Sequence, residues 1–126
     1  MIIAFDPGKN LGVAYVREDG QLEHSIIISI SQLADFPLPR GVTIVVGNGT
    51  GSDQVRDVLR RRGLPFALVD EKGSSLEGRE LYWRDHPPRG WRWLLPKGMR
   101  SPPRPIDDYA AYVIALRYLQ ALHEGN

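Results

Sequence analysis

Three places in this chain put acidic side chains at the ends of regular elements. Asp6 closes the apolar run Ile2-Ile3-Ala4-Phe5. Asp70-Glu71 closes Pro65-Phe66-Ala67-Leu68-Val69. Asp107-Asp108 opens the last amphipathic stretch. Carboxylates offer hard oxygen ligands, which suit Mg2+ or Mn2+. Gathered in a small volume without a cation, three or four of them would repel by roughly several kcal/mol. One or two bound ions can stabilise both the attacking and the leaving oxygen of a phosphodiester. The candidate set is Asp6, Glu71 and Asp107, with Asp70 and Asp108 in support. Each acid also has an ordinary structural reading: Asp6 as a turn cap, Asp70-Glu71 as a solvated loop, Asp107-Asp108 as acids at the positive end of a helix.

A second chemistry lies between residues 84 and 105. That stretch carries Arg84, Arg89, Arg92, Lys97, Arg100 and Arg104 against a single acid, Asp85, so a net charge of +1 hides a basic segment. Trp83, Trp91 and Trp93 lie in or beside it. Aromatics interleaved with arginines suit base stacking and phosphate contact, although tryptophan is as often buried core. The residues singled out for nucleic acid are Arg89, Trp91, Arg92, Trp93, Lys97 and Arg100, with Lys9 in the first turn. Asn48 and Thr50 join them from Gly47-Asn48-Gly49-Thr50-Gly51-Ser52. That turn lacks the Gly-Lys-Ser/Thr ending of a nucleotide-hydrolysing loop. Its amides could still meet a phosphate, or it is simply a glycine-rich turn from strand to helix. His24, His86 and His123 are scattered without metal spacing. His86, near the basic loop, is a minor candidate for proton transfer.

The elements that must position these groups follow from the apolar pattern. Strands are expected at about 2–6, 11–17 and 22–30, the last two joined by a hairpin at Glu18-Asp19-Gly20-Gln21. A short helix fits within 31–41, limited by Pro37, Pro39 and Gly41. Strand 42–46 leads to a helix at about 52–62, ended by Gly63. Strand 65–70 leads to a helix at about 75–85, for which Ser74-Ser75-Leu76-Glu77 offers a capping box. The closing helix runs from 107 to about 123, with Ala111, Tyr112, Ala115, Leu119 and Leu122 as its packing stripe. The fold class is therefore α/β: a mixed five-stranded sheet, three antiparallel strands and then two parallel αβ units, with helices on both faces. In such a sheet ligands gather at the carboxyl ends of parallel strands.

The 126 residues suit a single domain, 1–126, and 42% apolar with 25% charged residues is ordinary for a soluble protein. No apolar run reaches the length of a membrane span. The chain opens directly on a strand, so no signal peptide is expected. Absence of cysteine excludes disulfides and thiolate metal sites and fits a cytoplasmic home.

Taken together, the motifs resemble a known family. Asp6-Pro7-Gly8-Lys9-Asn10-Leu11-Gly12-Val13-Ala14 resembles the opening motif of the YqgF/RuvX branch of the RuvC-like, ribonuclease H-fold nucleases. Asp70-Glu71-Lys72 with Ser74-Ser75 resembles that branch's Asp-Glu-Arg and Ser-Thr motif, and Asp107-Asp108-Tyr109-Ala110-Ala111 its closing helix. The resemblance implies a ribonuclease H-like sheet, catalytic Asp6, Glu71 and Asp107, and Mg2+ or Mn2+. It implies hydrolysis of structured nucleic acid, in precursor 16S ribosomal RNA processing, Holliday-junction resolvase-like cleavage, or both. Partners would be RNA or branched DNA, with no membrane. A junction resolvase would need two active sites and hence a homodimer. The glycine-rich turn also looks like that of the YqgF-like domain of the transcription accessory protein Tex, which implies the alternative of a catalytically inactive nucleic-acid-binding module. An ATPase of the actin and sugar-kinase type shares the opening motif, but usually needs two such domains. Three departures stand out. RuvC proper has a glutamate near the end of its fourth strand, where this chain has Val46-Gly47-Asn48. It has a second closing aspartate where this chain has Ala110. Lys72 replaces the usual arginine.

Overall fold

The computed structural model describes residues 1–87 and 104–124. Arg89, Trp91, Arg92, Trp93, Lys97 and Arg100, the residues expected to meet nucleic acid from the basic segment, lie outside the described residues.

Five strands, β1 (Ile2–Asp6), β2 (Leu11–Val16), β3 (Leu22–Ile28), β4 (Thr43–Gly47) and β5 (Ala67–Val69), form one sheet in the order β3-β2-β1-β4-β5. β1 to β3 make the expected antiparallel meander, while β4 runs parallel to β1 and β5 parallel to β4. β1 lies at the centre of the sheet, so all five of its residues are buried and its apolar run has no polar alternation. Ile3 and Phe5 face one layer. They pack with Val13, Ile44 and Val46 against Leu33 of a short 3-10 helix (Ile30–Asp35) and Val55 and Leu59 of α1 (Ser52–Arg61). Ile2 and Ala4 face the other, with Ala14, Val16 and Val45, against α2 (Ser74–Asp85) and α3 (Asp107–Glu124). Among the described residues no helix is long and apolar enough to cross a membrane.

Three expectations are corrected. β5 spans three residues rather than six, because it is an edge strand that pairs only with β4 and begins beyond Pro65. The capping box before α2 does not form. Gly73, at φ +75°, takes the cap position, Ser74 is the first helical residue, and Glu77 pairs with Arg117 at 3.0 Å instead of reaching back. The stripe on α3 is also not a stripe. Residues 108–115 are all buried, Leu119 is partly buried, and Leu122 is exposed. Residues 108–115 lie between the sheet and α2, so none of them faces water. Gly78 of α2 permits this closeness: a methyl group added to it would lie 2.8 Å from the Ala110 nitrogen and 2.9 Å from the Tyr109 carbonyl carbon. Gly78→Ala is therefore expected to destabilise the fold by about 1–3 kcal/mol, the usual cost of overpacking, read as a lower midpoint in urea.

Candidate active site

The parallel pairing of β1, β4 and β5 brings their carboxyl ends to one edge of the sheet. Asp6 is the last residue of β1 and is only 9% exposed. Directly across from it in the antiparallel ladder stands Gly12. A methyl group at Gly12 would lie 2.0 Å from the carbonyl oxygen of Asp107. The first residue of α3 therefore rests on the bare backbone of Gly12, and this contact delivers Asp107 to the neighbourhood of Asp6.

Glu71 arrives from the other side. Val69, the last residue of β5, is paired with Gly47, and the Asn48 N–H donates to the Val69 carbonyl at 3.0 Å. The Asn48 side-chain oxygen accepts the Glu71 N–H at 3.3 Å. The Glu71 side chain then folds back across the end of β4, over two glycines. A methyl group at Gly47 would lie 2.7 Å from Glu71 Oε2, and one at Gly49 only 1.2 Å from Oε1. Gly47 and Gly49 are empty of side chain so that this carboxylate has somewhere to be.

Burial, a hydrogen bond with Glu71, and the negative charges of Glu71 and Asp107 together push the Asp6 carboxyl up to about 8 from its usual 3.8. Two carboxyls within hydrogen-bond reach need a proton or a cation between them, since ionised carboxylates only accept. Glu71 Oε2 is buried with no hydrogen-bond partner among the described residues. A buried carboxylate oxygen without a donor, next to a carboxyl that resists ionisation and near a third acid, is a donor set that suits a hard divalent cation. As they stand, no three or more His, Cys, Asp or Glu side chains among the described residues are spaced to hold a metal ion. Asp6 and Glu71 form the close pair, and Asp107 adds its charge without completing a cage.

No protein-family model matches the sequence, and no curated protein matches it. Solved structures do. RuvC of T. thermophilus in complex with a Holliday junction substrate superposes with a TM-score of 0.59 at 17% identity, covering 99% of this chain and 96% of that one. A second Thermus thermophilus RuvC structure gives 0.53 at 16% identity, covering 98% and 96%. The fold is that of RuvC. It is a ribonuclease H-like α/β fold, and at this identity the likeness extends to the fold alone.

Within the RuvC-like sheet, the departure noted at Gly47 acquires a physical meaning. No acid stands at the end of β4, and Glu71 reaches over that end from the next strand. The two supporting acids fare differently. Asp108, expected beside the metal, is 3% exposed and engaged on both oxygens. The Arg104 guanidinium donates to Oδ1 at 3.0 Å and to Oδ2 at 3.2 Å, the Ser25 hydroxyl donates to Oδ2 at 2.8 Å, and the Tyr109 N–H donates to Oδ1 at 3.0 Å. Its charge is neutralised by an arginine, which corrects its place in the metal set. Asp70 is exposed, and its carboxylate accepts the Lys72 N–H at 3.1 Å, a local turn contact. In this structure the side chain caps its own turn. Lys9 and Thr50 are exposed on the turns after β1 and β4. Asn48 is exposed but orients the Glu71 backbone. His86 stacks on Tyr82 with ring centroids 4.5 Å apart, at the end of α2.

Five residues that shape the site were not singled out for it from sequence: Gly12, Gly47, Gly49, Ser25 and Arg104. Ser25 left a trace, as the one polar residue among Ser25-Ile26-Ile27-Ile28 whose alternation with Ile27 turns it toward the same face as Gly12 and Ala14. The glycines showed only as a turn and as part of the opening motif, because nothing local says which side chain will need their space.

Proposed function

We propose that this chain is a divalent-metal-dependent nuclease of the YqgF/RuvX branch of the RuvC-like enzymes. Its substrate would be structured nucleic acid: precursor 16S ribosomal RNA, a Holliday junction, or both. The observation that supports this reading is the buried Asp6–Glu71 pair with Asp107 beside it, at the carboxyl edge of a RuvC-like sheet. Asp6, Glu71 and Asp107 would hold Mg2+ or Mn2+, which when bound supplies Lewis acidity to the phosphoryl oxygens and acidity to the attacking water. Asp6 must give up its proton for the set to be filled, so uptake of the ion releases a proton below about pH 8. Glu71, clamped over Gly47 and Gly49, orients its free oxygen without having to reorganise. Lys9, exposed on the turn that follows Asp6, presents a point charge to a substrate phosphate. A junction with two strands to cut would engage two copies of the chain.

The test is cleavage of structured RNA, single-stranded RNA, duplex DNA and a four-way DNA junction with Mn2+. Wild type and Asp6→Asn are compared, each with and without chelator. Metal-dependent products from wild type alone support the reading. Salt-sensitive binding with equal background cleavage by both proteins would make the chain a binding module of the Tex-like kind.

A further inference from the structure

Asp108 is adjacent to a proposed metal-holding residue yet spends its charge elsewhere, and the elements it joins explain why. Arg104, just before α3, donates to both of its oxygens, and the same guanidinium lies over the Tyr82 ring at 5.2 Å and the Tyr109 ring at 5.9 Å. Ser25 of β3 donates to Oδ2. Ser25 is paired with Ala14, and Gly12 lies two residues along β2 on the same face. The first turn of α3 is therefore held at two points across adjacent strands: Asp107 seated on Gly12, and Asp108 tied to β3 through Ser25. Packing of residues 108–115 holds the body of the helix, and these two points set the rotation of its first turn.

We propose that Asp108 is a positioning residue. Through Ser25 and Arg104 it fixes the rotation of the α3 N-terminus, and so sets the direction in which Asp107 projects toward Asp6. The link to metal binding rests on the function proposed above; the anchoring of the helix does not. Residues that orient metal ligands without touching the ion typically change metal affinity by about 10–100-fold.

The experiment uses Ser25→Ala, Ser25→Thr and Asp108→Ala in the full chain. The serine pair matters most, because it removes and restores one hydroxyl without altering any charge near the acids. Amide hydrogen exchange at Tyr109 and Ala110 is followed in metal-free protein, and Mn2+ affinity by calorimetry. Ser25→Ala and Asp108→Ala are expected to speed exchange at these two amides about tenfold relative to the rest of α3, and to weaken Mn2+ binding about tenfold. Ser25→Thr is expected to restore both. Unchanged exchange at Tyr109 and Ala110 overturns the anchoring. Faster exchange with unchanged Mn2+ affinity overturns the positioning role and leaves Asp108 a stabilising contact only. If wild type takes up no Mn2+, the nuclease reading fails by itself, while local acceleration reversed by Ser25→Thr still supports the anchoring.

Discussion

Asp6→Asn is expected to abolish metal-dependent cleavage while making the metal-free protein more stable at pH 9. The two effects share one cause. In the folded chain Asp6 holds its proton up to about pH 8, whereas in the unfolded chain it releases it near the ordinary 3.8. Between those values the folded state binds the extra proton. The stability contributed by protonated Asp6 is therefore complete below about pH 4 and is lost as pH rises to about 8. The loss is on the order of a few kcal/mol, since each tenfold step in proton affinity is worth about 1.4 kcal/mol. Asparagine mimics the protonated acid at every pH and can donate to Glu71, so the variant should show none of this decline. Its cleavage should fall on the order of 10²–10³-fold or more, the usual cost of losing one group that holds transition-state charge. Urea titrations of both proteins from pH 4 to pH 9 with chelator present check the first effect. Parallel pH profiles would show that Asp6 is not the group holding the proton.

Gly49→Ala should be nearly as damaging to cleavage, with little cost to the fold. Gly49 does not adopt a positive φ, so alanine brings no backbone strain. The added methyl group would, however, lie 1.2 Å from Glu71 Oε1 and 2.3 Å from its carboxyl carbon. The carboxylate must leave. Displacing a reacting or ligating group by about 1 Å can cost on the order of 100-fold. Because the turn is half-buried and outside the strands, the melting temperature should change little. Cleavage rate at saturating Mn2+, measured beside the thermal midpoint, separates the two. Equal rates for Gly49→Ala and wild type would mean that the seat over β4 has no part in the reaction.

The comparison of Asp6 with Asp108 shows how far a sequence can be read. The meeting of Asp6 and Glu71 at one sheet edge was legible because two local facts, an apolar run and an acid at its end, combine with a general rule about where parallel strands expose their ends. The mixed sheet was legible for a similar reason: the apolar runs of β1 and β4 mark buried strands, and Asp19-Gly20 must turn a hairpin. Asp108 was not legible, since its fate depends on Ser25, which lies 83 positions away in the chain. Nor were the glycines at 12, 47, 49 and 78. Each is defined by what would collide with it, and that neighbour belongs to another element. The capping box at Ser74 misled for the opposite reason. A sound local motif lost to Gly73, whose left-handed backbone starts α2 one residue earlier, and to the reach of Arg117 for Glu77.

Glu71 hangs from β5, whose three residues pair with one neighbour and are at most half-buried, while Asp6 belongs to the innermost strand. Marginal edges of this kind fray well before a domain melts. Warming should therefore abolish the proposed cleavage reversibly at temperatures where the circular dichroism is still native. A second effect follows from the same attachment: any ligand bridging Glu71 to Asp6 would staple the fraying edge to the middle of the sheet.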